Sequence, residues 1–552
     1  MTSTSPDARV LRGTLVNAVA LAAGAIGSLF LLLVARLLGE AALGAYALAW
    51  ASADLLAKLS TLGLDQSTVA VVAERQQDGD GAGIRAVFRK ALAAGMGASL
   101  LAAAVAWMAL AWAGPRGGTA TGMAAAPSLM LLAVPGVVLY RVSNGVSRGL
   151  GIMKHDILSG GLAQHVSAVV LLVALVAAGL PAAIGPSPVP VLAAVGGFTL
   201  GGLVAYVLAR NAVRRASGGV TAGGNSHGLL RRSSSIGAAG LVNLLLTRMD
   251  VLVLGALVGR APGLSAAAFG VYCAAAEVAG VSRKVRQAVD APLLHALASG
   301  PEERSGTDRA AEAGSWVLKV LLLIAGCLSL GAPLVLALFG PAFESGALWL
   351  VLLVAAQAVY SYSGLAEAVA LVRRPTLNLA SAVLTAFVYL GLCTLLVPRV
   401  GATGAALAAL TSFTVLAWLR FGQLSWILGR PWPWRRARTA CAMFLIAGVP
   451  AAALRWLVPG RTGAGLAVGA FLALYVATGL ARAFSGRSRW PFAAAVRGWA
   501  RPGQASHSPA NGPLAVILFV SSEDDGGAAR SAFLARAPPA ALRRAAGCGT
   551  PP

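Results

Sequence analysis

Apolar residues run along this chain in long, nearly uncharged blocks rather than at the spacing of a half-buried surface element. Windows of about 19 residues place fourteen blocks, at 14–36, 42–64, 91–113, 122–147, 157–181, 188–210, 235–259, 265–288, 315–340, 345–372, 377–397, 402–427, 438–458 and 462–484. Roughly 20 apolar residues in a helix match the hydrocarbon thickness of a bilayer. The pattern therefore predicts an all-α membrane protein of about fourteen transmembrane helices. The block at 91–113 carries internal glycines and that at 122–147 also holds Pro135, which membrane helices tolerate where neighbours satisfy the freed backbone groups.

The polar stretches between blocks alternate in charge. Basic clusters join every second pair: Arg75, Arg85, Arg89 and Lys90; Arg148 and Lys154; Arg210, Arg214, Arg215, Arg231 and Arg232. The series continues with Arg283, Lys284, Arg286, Arg304 and Arg309, then Arg373 and Arg374, then Arg430, Arg435, Arg436 and Arg438. The intervening loops are short and hold one or two basic residues each, such as Arg36, Arg116, Arg260, Arg399 and Arg461. Under the positive-inside bias, both termini face the cytoplasm and no large external domain exists. The first block is too long for a signal-peptide core, so it is expected to stay as helix 1.

An internal repeat divides the blocks. ARLLGEAALGAYALAWASADLL at 35–56 and LGALVGRAPGLSAAAFGVYCAAAEVA at 254–279 each end a helix in a glycine turn and open the next with G-x-Y. GATGAALAAL at 401–410 begins another helix in a similar way. Two similar six-helix halves with a path between them are the architecture of secondary transporters. The expected organisation is a cytoplasmic N-terminus (1–13), a six-helix lobe (14–210), a cytoplasmic linker (211–234), a second six-helix lobe (235–427), two further helices (438–484) and a cytoplasmic tail (485–552), largely disordered.

Composition agrees: of 552 residues 57% are hydrophobic and 12% charged, half the roughly 25% charged of a soluble domain. The net charge of +24 is spread over loops and not gathered on one polar face, which argues against nucleic acid and for anionic lipid headgroups. Cys273, Cys327, Cys393 and Cys441 lie in apolar blocks and Cys548 in the tail, with no C-x-x-C pair; neither a metal site nor a disulfide framework is expected. No G-x-x-x-x-G-K-[ST] or H-E-x-x-H sequence occurs, so no ATP hydrolysis by a P-loop, catalytic residue or cofactor is expected.

Several segments in order resemble the oligosaccharide flippase (polysaccharide transport) branch of the multidrug/oligosaccharidyl-lipid/polysaccharide superfamily. They are ARLLGEAALGAYALAW (35–50), STLGLDQS (60–67), LLLTRMDVLVLGALVG (244–259), ALFGPAFESGALWLVLL (337–353) and RRPTLNLASAVLTAFVYLGLCTLLVPRVGATGAALA (373–408). The resemblance implies a two-lobed bundle in the bacterial inner membrane. It further implies flipping of an undecaprenyl-diphosphate-linked oligosaccharide to the periplasmic leaflet, with polysaccharide polymerases and glycosyltransferases as pathway partners. The tail sequence LAVILFVSSEDDGGAARSAFLARA (514–537) is similar to the opening strand–loop–helix of GT-B glycosyltransferases, but stops after one unit.

Ionisable groups inside the membrane mark a path or a partner. Asp54 and Lys58, four apart on one helix face, form either a self-neutralising pair or a cavity contact to the diphosphate. Arg248, with Asn243 nearby, is either a cavity cation or paired with Glu277. Glu367, near Arg373, and Asp250 are candidates for ion coupling, and Asp65 reads as a solvated helix end. Arg141 reads as snorkelling and His165 as a hydrogen-bonded core histidine. Arg283, Lys284 and Arg286 sit where they would attract an anionic headgroup. The competing readings are a multidrug or cation antiporter of the same superfamily, a lipid II flippase, and, from other classes, a membrane glycosyltransferase or polymerase and a scaffold. Short outward loops weigh against the enzyme.

Overall fold

A computed structural model of the chain describes residues 6–113, 121–218, 229–284, 303–428 and 434–484. Arg286 and the tail 485–552 lie outside them, as do residues 219–228 of the linker. The chain divides into two compact units. The unit Val19–Ser506 carries everything below; of the other, Met1–Ala18 with His507–Pro552, only the first turns of the first helix are described.

Helices follow from the solvent. In hydrocarbon no water satisfies backbone N–H and C=O groups, so a spanning segment must satisfy them internally. Among the described residues, ten helices are long and apolar enough to cross a bilayer. Two of them are too long for one crossing. The apolar part of α1 (Pro6–Thr61) spans 36 residues and that of α15 (Pro375–Leu428) spans 52. Each breaks inside, at Gly39 (φ 81°, ψ 179°) and at Val400–Gly401, so each holds two of the expected blocks. The other helices in order are α2 (Leu64–Gln77), α3 (Gly81–Ala113), α4 (Thr121–Met130), α5 (Val134–Gly149), α6 (Lys154–Asp156), α7 (His165–Ala177), α8 (Leu180–Ile184) and α9 (Pro188–Ala216). They continue with α10 (Leu229–Leu257), α11 (Ala266–Ala279), α12 (Glu303–Leu330), α13 (Ala332–Ala337), α14 (Ala347–Arg373), α16 (Trp434–Leu457) and α17 (Gly460–Phe484).

Side-chain exposure is inverted relative to a soluble fold. Leu101, Trp107, Trp112, Phe387 and Val449 stand outward, whereas Asn144, Ser361, Ser363, Thr385, Ser412 and Arg420 are buried. An apolar belt of this extent would be an aggregation surface in water; facing acyl chains it loses nothing by exposure.

Several expected blocks are interrupted by breaks in the helical backbone. The block at 42–64 stops at Thr61, and α2 starts after a break at Leu62 (φ 43°) and Gly63 (φ 81°). The block at 122–147 is split by a 3₁₀ turn, Leu131–Ala133, ahead of Pro135. The block at 157–181 begins with a π-helical stretch, Ile157–Gln164, and that at 315–340 breaks at Gly331.

Helices α2, α3, α7 and α9 pack with α5 or with each other, forming a first bundle; α10, α11, α12, α14 and α15 form a second. Helices α16 and α17 pair and lie against α12 of the second. The repeated G-x-Y motifs meet between the bundles. A Cβ on Gly44 would stand 3.0 Å from the amide nitrogen of Gly270, so the absence of side chains lets the two backbones touch, the small-residue packing of membrane helices. A second close approach joins α2 to α10. A Cβ on Gly237 would come within 2.3 Å of the Leu62 carbonyl carbon, and one on Gly63 within 2.5 Å of the Gly237 nitrogen. Ser67 and Ser233 share a hydrogen bond of 2.5 Å beside it.

Candidate functional site

Between these two glycine contacts the bundles leave a cavity of about 390 Å³. Its first wall is the end of α1 with the start of α2, carrying Asp54, Lys58, Asp65 and Gln66, completed by Arg141 of α5. Its second wall is α10 with Gly240, Asn243, Leu244 and Thr247, then Arg283 beyond α11 and Tyr360 of α14.

The break at Leu62–Gly63 organises the first wall. It turns the chain so that Asp65, in the first turn of α2, accepts a hydrogen bond of 2.8 Å from Lys58 Nζ. Asp65 is thus a cavity residue and not the solvated helix end expected of it. Lys58 is consequently not the partner of Asp54. The Asp54 carboxylate instead accepts from the Arg141 guanidinium across the bundle. The four-residue spacing put Asp54 and Lys58 on one face, but each finds a closer opposite charge on another element. Arg141, read only as snorkelling, is a central member of the site.

On the second wall, Arg248 donates to Glu277 at 2.8 Å, the pairing considered from the sequence. Thr247 and Leu244 line the cavity, but Arg248 does not. Asn243 accepts a 2.6 Å hydrogen bond from the Tyr360 hydroxyl, and both face the cavity. Asp250 lies outside it, buried within the second bundle; it accepts from the Tyr272 hydroxyl at 2.8 Å and from the Val251 N–H at 2.9 Å. Glu367 stands 3.2 Å from Arg420; the side chain of Arg373, its expected partner, lies outside the described residues. Arg420 is 1% exposed, sits 5.8 Å over the Tyr360 ring and donates to Ser363. Nothing in the sequence marked Arg420, because one arginine near a helix end reads as an ordinary basic loop residue.

Arg283 differs from the other cations. It was placed with Lys284 and Arg286 as a surface attractor of headgroups, yet it reaches into the cavity. Among the described residues its guanidinium has no hydrogen bond or ion pair, while Lys58 and Arg141 each have a carboxylate. The lining therefore carries three cations against two carboxylates, and the surplus positive charge is on Arg283. Lys284 is exposed and lies outside the lining. Among the described residues no three His, Cys, Asp or Glu side chains converge as a metal site would require.

Known proteins resemble this arrangement. The polysaccharide biosynthesis protein family matches residues 10–284. A lipid II flippase, MurJ, in an inward closed conformation superposes with a TM-score of 0.61 at 11% identity, over 84% of this chain and 98% of that one. An inward-facing multidrug resistance MATE family transporter of the MOP superfamily superposes at 0.59 and 15% identity, over 74% and 98%. A MATE crystal structure in complex with MaD5 gives 0.53 at 17%, over 77% and 97%. No curated protein matches the chain in sequence. At these identities the superpositions speak for the fold alone. The chain is thus a multi-pass membrane protein with the fold of the MOP superfamily transporters, and over residues 10–284 it is similar to the polysaccharide biosynthesis protein family.

Proposed function

We propose that this protein flips an undecaprenyl-diphosphate-linked oligosaccharide from the cytoplasmic to the periplasmic leaflet of the bacterial inner membrane, with the diphosphate held in the cavity between the bundles. The charge state of that cavity carries the reading. Both of its carboxylates are neutralised by Lys58 and Arg141, and the Arg283 guanidinium has no partner among the described residues. An anionic headgroup gains a charge-assisted contact there. An organic cation finds no free carboxylate, which disfavours the multidrug antiporter despite the similar MATE folds. A diphosphate cannot cross hydrocarbon unaided; a cationic cavity lowers that barrier while the polyprenyl tail stays in lipid, and rocking of one bundle against the other exposes the site to each side in turn. Arg248, Glu277 and Asn243 support the second wall from behind or beside the headgroup. Lys284 and Arg286 would draw the anion toward the cytoplasmic mouth. If an ion gradient drives the step, Asp250 suits proton uptake better than Glu367, since Glu367 already faces Arg420.

The test is flipping of a fluorescent undecaprenyl-diphosphate oligosaccharide in proteoliposomes. The wild type should make the headgroup accessible from the opposite leaflet. Arg283→Ala should slow this by about tenfold or more with unchanged abundance and melting temperature, because no described side chain loses a hydrogen bond or ion pair. Efflux of organic cations without lipid flipping would refute the reading.

A further inference from the structure

A second cavity of about 360 Å³ opens within the first bundle, lined by residues of α1, α5, α6, α7, α9 and the π-helical stretch Ile157–Gln164. Arg141 lines both cavities. We propose that this second cavity is the subsite for the sugar bonded directly to the diphosphate, and that Trp50, Asp156 and Gln164 determine which sugar is accepted. The proposal rests on the flippase reading above and deepens it.

Three observations carry it. The first is a flat aromatic surface. Trp50 and Phe198 stack with ring centroids 4.5 Å apart and planes 7° apart, and both line the cavity. A pyranose presents a face of C–H groups that such a surface buries well, while its hydroxyls stay free to hydrogen-bond at the rim.

The second is a balanced polar lining. The lining holds one cation, Arg141, and one carboxylate, Asp156; the two do not pair, since Arg141 is held by Asp54, and Asp156 is engaged by neutral donors. Asp156 is fixed in place by the Tyr140 hydroxyl at 2.8 Å and the Asn144 amide at 3.0 Å, both donating to Oδ1. Its other oxygen remains as an acceptor. Gln164 is 8% exposed, and among the described residues its side-chain amide has no hydrogen-bond partner. Donors and acceptors without net charge suit a neutral polyhydroxyl compound; a cation or an anion would need a surplus of the opposite sign.

The third is backbone geometry. A π-helical turn widens the helix by one residue per turn and commonly marks a functional site. Here it carries Gly160 and Gly161 to the cavity wall and ends on Gln164. Gly160 is needed for close approach, since a Cβ there would lie 2.3 Å from the Tyr140 hydroxyl and displace the group that anchors Asp156. The cavity volume falls within the roughly 300–1,000 Å³ of small-molecule sites. Because the first sugar is esterified to the diphosphate, the two must lie side by side, as the two cavities do at Arg141.

The experiment measures binding of undecaprenyl diphosphate and of four undecaprenyl-diphosphate monosaccharides (glucose, galactose, N-acetylglucosamine, N-acetylgalactosamine) to the purified full-length protein in nanodiscs. At least one sugar should bind tighter than the bare diphosphate lipid. Trp50→Leu and Gln164→Ala should each erase that gain, by about tenfold, while leaving affinity for the bare lipid unchanged. Should Trp50→Leu fail to fold, Gln164→Ala and Trp50→Phe carry the same comparison. Equal affinity for bare and glycosylated lipids in the wild type, or equal weakening of both by the variants, overturns the sugar subsite and leaves the flippase reading standing. Binding of neither kind of lipid refutes the flippase reading itself. Saturable binding of tetraphenylphosphonium that Trp50→Leu abolishes would reassign the cavity to organic cations.

Discussion

Asp54 and Arg141 face each other from α1 and α5, with side chains 8% and 21% exposed. Removing one member of such a pair leaves the other without compensation at membrane depth, whereas removing both need not destabilise. Arg141→Leu should therefore lower stability by about 3 kcal/mol, read as a fall in melting temperature in detergent. Adding Asp54→Leu should restore most of that loss without restoring flipping, because Arg141 also lines both cavities. Recovery of flipping in the double variant would show that the pair holds the bundle together and does no more. The contrast with Arg283→Ala separates two kinds of cavity cation: Arg141 is tied to a carboxylate and needed for stability, whereas the Arg283 guanidinium has no partner among the described residues. This distinction was invisible in the sequence, where Lys58, Arg141, Arg248 and Arg283 are all basic residues in or beside apolar blocks.

Among elements, α3 shows how a polar end is managed just outside the apolar span. Asp80 immediately precedes α3 and accepts the Gly83 N–H at 2.7 Å, while Arg75 at the end of α2 pairs with its other oxygen. These two interactions, the backbone hydrogen bond foremost, hold its carboxyl below the usual aspartate range. A depressed folded-state pKa contributes stability that is complete above the ordinary aspartate value and is lost as pH falls through the lowered one. Asp80→Asn should thus melt below the wild type by a constant margin between about pH 5 and 8, with the margin closing in more acid buffer. A margin unchanged by acid would mean that the hydrogen bond, and not the charge, is what matters. The broken elements are equally informative. The π stretch, the Leu131–Ala133 turn and the Leu62–Gly63 break all fall within blocks that hydropathy presented as continuous helices, because hydropathy reports solvent and not backbone geometry.

For the molecule as a whole, the cavity is enclosed by close contacts of the two bundles, Gly44 with Gly270 and Gly63 with Gly237. Alternating access requires each contact to part in turn. Ser67 and Ser233 lie across the second, their hydroxyls 2.5 Å apart, near enough for the sulfurs of cysteines at these positions to bond. In a background free of the five native cysteines, Ser67→Cys with Ser233→Cys should crosslink under oxidation and stop flipping, and reductant should restore it. Full transport by the crosslinked protein would mean that these ends need not separate.

The solvent-level facts were legible in the chain. Long uncharged blocks require helices because lipid offers backbone groups no partners, and the repeated G-x-Y motif announced two comparable halves, which meet at those very glycines. The presence of charge inside the membrane was legible too. Which charge meets which was not. Helical spacing places residues on a face of their own helix, but Asp54 found Arg141 at a separation of 87 residues, and Glu367 found Arg420. Arg283, read from the sequence as one of three cations attracting a headgroup at a helix end, lines the cavity without a side-chain partner among the described residues. Pair energies depend on distances between elements, and only the packing of the bundles decides those distances.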